Sequence, residues 1–104
     1  MSKTPADMPI ACDLSALDAS ERARRSALAA KLHTAVAGRR ELADGYALKI
    51  AEDQITRSEL GDWMNLEGKC CPFLSLALVT EGSGLWLHLS GGAGVKEFLK
   101  SEMK

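Results

Sequence analysis

The segment from Thr56 to Pro72 constrains the chain most, because it carries the signals for both ends of one helix. Thr56-Arg57-Ser58-Glu59 has capping-box spacing, which predicts Thr56 as the N-cap. Pro72 disfavours α geometry for Cys71 and closes the helix there. At about 100° per residue, Leu60, Trp63, Met64, Glu67 and Cys71 fall on one stripe. An acid therefore occupies a position where a packed helix ordinarily carries Leu or Met. Cys70 and Cys71 follow it by three and four residues, within side-chain reach of its carboxylate.

The remaining elements are read from the same signals. Met1 to Pro9 form a disordered lead, and residues 10–104 form one α+β domain. Ile10, Cys12 and Leu14 alternate with Ala11 and Asp13, which predicts a first strand with Cys12 on its buried face. Asp18-Ala19-Ser20-Glu21 caps a first helix that runs to about Gly38, with Leu28, Leu32, Ala35 and Val36 as its apolar stripe. Arg22, Arg24, Arg25 and Lys31 read as its solvated face. Arg39 to Asp44 form a polar connection ending in the Asp44-Gly45 turn signal. Tyr46 to Ile50 is a second strand with Tyr46, Leu48 and Ile50 inward.

Beyond Pro72, Phe73–Thr80 and Leu85–Ser90 flank Glu81-Gly82-Ser83-Gly84, a hairpin signal. Leu85, Leu87 and Leu89 line one face of the last strand, and Trp86, His88 and Ser90 the other. Gly91-Gly92-Ala93-Gly94 leads into a terminal helix with Val95, Phe98, Leu99 and Met103 on one side. The expected order is β-α-β-α-β-β-α, a four-stranded mixed or antiparallel sheet with about three helices, mainly on one face.

Composition narrows the function classes. With 104 residues, 46% of them hydrophobic, the chain suits a single core. A net charge of −1 argues against a general nucleic-acid binder. No apolar run reaches the roughly 18 residues of a membrane span. Three cysteines without a secretory signal predict a reducing, cytoplasmic setting with free thiols rather than a disulfide scaffold.

The second half resembles a family of small bacterial proteins of no established activity. These are marked by an acid, two adjacent cysteines and Pro-Phe, then a hairpin and a glycine-led terminal helix. The residues that carry the likeness are Glu67, Cys70-Cys71-Pro72-Phe73, Leu85-Trp86-Leu87, Gly91, Gly94 and Lys96-Glu97-Phe98-Leu99. Cys12 and Asp44-Gly45-Tyr46 also fit. The resemblance implies a bacterial protein of this fold-sized unit and brings no reaction with it.

Two functional readings follow. In the first, Cys12, Cys70 and Cys71 hold a thiophilic metal or metalloid ion, with Glu67 as an oxygen ligand or proton acceptor. In the second, the cysteines only pack the core, and the chain is an interaction module that self-associates, as a homodimer, through the Trp86 and His88 sheet face. Glu67 would in that case be a structural acid bonded to backbone, Tyr46 or Trp63. No nucleophile–base–orienter set is visible, which argues against an enzyme. The glycine run lacks the Lys-Ser/Thr of a P-loop and reads as a tight turn. His33 reads as a surface residue.

Overall fold

A computed structural model of the protein describes residues 12–102. The expected lead, Ile10 of the expected first strand and Met103 lie outside the described residues. Helix α1 spans Ala19–Ala35, and its capping box is closed in both directions: Asp18 accepts from the Glu21 backbone, and Glu21 accepts from the Asp18 N–H. Strands β1, Val36–Leu42, and β2, Gly45–Ile50, form a hairpin. Helix α2 spans Arg57–Cys70, with Thr56 and Glu59 forming the second reciprocal box. Strands β3, Ser75–Glu81, and β4, Gly84–Ser90, form the second hairpin, and α3, Val95–Glu102, closes the described chain.

The sheet has four strands in the order β1-β2-β4-β3, and every pairing is antiparallel. Leu85, Leu87 and Leu89 of β4 and Tyr46, Leu48 and Ile50 of β2 join one core with Leu28 and Leu32 of α1 and Leu60 and Trp63 of α2. This is the expected α+β class. Its helices and strands follow the expected order except at the beginning, where α1 precedes the first strand.

Two physical causes move that strand. Asp13 accepts the Ser15 N–H and caps a short 3-10 turn, Leu14–Ala16, a local bond that competes with a ladder. The Asp13 N–H donates to the Cys70 carbonyl at 2.7 Å, so Cys12 and Asp13 are tied to the end of α2 and belong to no strand. The fourth strand instead comes from the stretch read as helix end and polar connection. β1 is an edge strand, and Arg39, Arg40 and Glu41 stay exposed, which hides the alternation that marks a half-buried strand.

The turn signal at Asp44-Gly45 has a packing reason. A Cβ at Gly45 would fall 1.9 Å from the Leu89 carbonyl oxygen and 2.7 Å from Ser90 Cα. Gly45 faces Ser90 in the β2–β4 register, so this contact sits between the two central strands, at their end. Gly61, inside α2, has open space where a Cβ would go. Urea unfolding should therefore separate two substitutions of one kind. Gly45→Ala should cost at least about 2 kcal/mol through overpacking against backbone. Gly61→Ala should add about 0.5–1 kcal/mol through helix propensity.

Candidate thiol and carboxylate site

The site forms where the apolar stripes of α1 and α2 meet. On α2, Leu60, Trp63, Leu66, Glu67 and Cys70 are buried, and Cys71 caps the helix. The Cys71 N–H still donates to the Glu67 carbonyl at 2.7 Å, but its backbone has left α geometry, with φ −128° and ψ 64°. Pro72 imposes this departure. It turns the Cys71 side chain back over the last turn, where Sγ lies 3.2 Å from Glu67 Oε1.

Glu67 is only 6% exposed and would be costly as an unpaired anion. Its partner is Arg25 of α1, in place of the backbone, Tyr46 or Trp63. Arg25 Nε donates to Oε2 at 2.8 Å and Nη2 to Oε1 at 3.2 Å, a two-pronged charge-assisted pair. Burial alone would lower the Arg25 pKa, but the Glu67 hydrogen bonds and charge outweigh it and raise the value. Arg25 does not belong to the solvated face on which the sequence reading put it. It continues the buried Leu28–Leu32–Ala35 stripe by one step of three residues towards the N-terminus. That spacing was the available signal.

All three cysteines converge on this carboxylate. The four candidate ligand atoms of Cys12, Glu67, Cys70 and Cys71 lie within 4.8 Å of one another. Cys12 and Cys71 are joined by a disulfide across 59 positions of sequence, and Cys70 is the free thiol among the described residues. This corrects the expectation of free thiols throughout: the backbone tie from Asp13 to Cys70 brings the two sulfurs together. Cys70 Sγ donates to the Glu67 carbonyl at 3.7 Å and lies 3.6 Å from Cys71 Sγ. Burial pushes the Cys70 thiol above its ordinary value, the Glu67 charge adds to that, and Arg25 opposes it only in part.

The other singled-out residues lie apart from this cluster. Trp86 is half-buried, with the Arg40 guanidinium over its ring at 4.3 Å, and Arg40 is paired in turn with Glu81 at 2.8 Å. His88 is half-buried, and its Nε2 has no hydrogen-bond partner among the described residues. His33 is exposed. The glycine run is a turn: Gly94 has φ +88°, and a Cβ at Gly91 would meet Val95 methyls at 2.8 Å. No helix among the described residues is long and apolar enough to cross a membrane.

No family model matches the chain, and no curated protein or solved structure matches it.

The pair between α1 and α2 should dominate the stability of the site. Arg25→Ala leaves a buried carboxylate without its counter-charge and should cost about 3 kcal/mol in urea unfolding. Arg24→Ala removes a pair with Asp62 whose side chains are 51% and 54% exposed, and should cost less than about 1 kcal/mol. Equal losses for the two variants would contradict the assignment of Arg25.

Proposed function

We propose that the reduced protein binds a soft metal or metalloid ion through Cys12, Cys70 and Cys71, with Glu67 as the neighbouring proton acceptor. The observation that carries this reading is the convergence of the three sulfurs and the carboxylate within 4.8 Å. Metal–sulfur bonds of about 2.3 Å in a trigonal site separate the sulfurs by about 4 Å. Reduction of the Cys12–Cys71 bond lets those two sulfurs move apart to that spacing, and Cys70 already stands 3.6 Å from Cys71. Glu67 serves as acceptor rather than ligand, because Arg25 engages both of its oxygens.

Charge selects among soft ions. The Arg25–Glu67 pair sums to zero, and burial disfavours the Cys70 thiolate. Trivalent arsenic, arriving as neutral arsenous acid, exchanges three hydroxides for three thiols and leaves three waters. No net charge enters the buried site. A divalent ion with three thiolates would leave one uncompensated negative charge there. The binding role needs the Cys12–Cys71 bond reduced, which suits a reducing compartment such as the cytoplasm of a bacterial cell. Self-association through Trp86 and His88 draws less support, because Arg40 already covers the Trp86 ring.

Calorimetric titration of reduced, tag-free protein with arsenite should show one equivalent bound. Binding should be lost in Cys71→Ser and weakened at least about tenfold in Cys70→Ser and Cys12→Ser. Zn(II) capture must release thiol protons, so its affinity should rise with pH. Because burial pushes the Cys70 thiol up, that rise should extend beyond the ordinary thiol range. Serine variants that all bind like the parent would return the cysteines to core packing.

A further inference from the structure

The thiol cluster does not end in a closed wall. A cavity of about 980 Å³ opens beside it, and Cys12 and Glu67 form part of its lining. That volume lies at the upper end of the range for small-molecule pockets and far exceeds what a bare ion fills. Its surface is more apolar than polar, with Leu32, Leu48, Leu89 and Phe98 among the residues that line it alongside His33, Arg39 and Glu102. Trp63 also lines it, is 6% exposed, and its Nε1 has no hydrogen-bond partner among the described residues. Of the three cysteines only Cys12 is part of the lining; Cys70 and Cys71 are fully buried behind it. Cys12 thus meets the cavity, and the disulfide, not the lining, sets its bonded partner Cys71 apart from the free Cys70.

We infer that the site also takes, and prefers, a mono-organyl arsenic(III) compound, whose substituent occupies the cavity while Cys12 and Cys71 alone hold the arsenic, Cys70 being needed as third ligand only for inorganic arsenite. The inference rests on the soft-ion reading and specifies its ligand. The chemistry balances in two steps. A small dithiol first reduces the Cys12–Cys71 bond and becomes a disulfide itself, leaving two protein thiols. The arsenic compound, with one carbon and two hydroxyl groups on arsenic, then exchanges both hydroxyls for the two sulfurs. Two arsenic–oxygen bonds break, two arsenic–sulfur bonds form, and the thiol protons leave with the hydroxides as two waters. Arsenic remains trivalent, and the arsenic–carbon bond is untouched.

This assignment gives a use to the cavity, which a bare ion leaves unfilled. Two thiols saturate a mono-organyl arsenic centre, so Cys70 can remain a neutral thiol behind it, 3.6 Å from Cys71. The product is neutral beside the neutral Arg25–Glu67 pair. An aryl substituent buries its ring against the leucines, Phe98 and Trp63, and the size of that apolar contact sets the preference for aryl over methyl.

The test uses calorimetry on reduced full-length protein with phenylarsine oxide, methylarsonous acid and arsenite, and dithiothreitol as a reference dithiol without a cavity. The phenyl-to-methyl affinity ratio on the protein should exceed the same ratio on dithiothreitol by at least about tenfold. Ala29 lies one helical turn after Arg25 and lines the cavity, with no bond to the sulfurs or to Glu67. Ala29→Trp should remove most of that excess while arsenite binds as to the parent. The ligand series on the parent protein decides the question even if this variant does not fold. If the protein binds arsenite and its phenyl-to-methyl ratio equals that of dithiothreitol, the organic subsite is wrong and the thiol site stands. If none of the three compounds binds, the thiol site and the subsite fall together.

Discussion

The ion pair between Arg25 and Glu67 is the interaction on which the rest of the site depends. A carboxylate at 6% exposure survives in the core only with a counter-charge and directed hydrogen bonds, and Arg25 supplies both. Because the two residues sit on α1 and α2, the pair also fixes how these helices meet. It leaves Oε1 facing Cys71 Sγ at 3.2 Å. The charge that holds the helices together is thus the same charge that stands beside the sulfurs.

Three ties converge on the last turn of α2. The ion pair reaches it from α1, the Asp13 N–H reaches the Cys70 carbonyl from the start of the described chain, and the disulfide joins Cys12 to Cys71. Pro72 ends the helix at the position where Cys71 can take part. With the disulfide intact, Cys70 is a buried thiol whose proton is held firmly by burial and by the Glu67 charge. With it open, on the reading proposed above, three thiols would surround one point. On that reading, the redox state of one bond would decide whether the cluster is a cross-link or a set of soft ligands.

Much of this was legible in the sequence, for reasons that can be assigned to particular residues. Both capping boxes, the Cys71-Pro72 stop and the Gly82 hairpin are local signals that depend on a few neighbours, and each element formed where those signals put it. The burial of Glu67 was visible in its phase on α2. Its partner was visible only in part. Arg25 lies among Arg22, Arg24 and Lys31, and a cluster of bases looks solvated unless each residue is placed on the helical stripe separately. Strand β1 was hidden because an edge strand needs little apolar alternation, and Arg39, Arg40 and Glu41 show none. The Cys12–Cys71 bond was hidden because it depends on a backbone contact between residues far apart in sequence, which no local pattern encodes.

The central claim is that one buried point is ringed by the sulfurs of Cys12, Cys70 and Cys71 beside a carboxylate already committed to Arg25. X-ray absorption at the arsenic edge, on reduced protein loaded with one equivalent of arsenite, reads that arrangement directly. The account predicts a first shell of three sulfurs with no oxygen neighbour. A shell that keeps oxygen, or that is unchanged when Cys71 is replaced by serine, would contradict it.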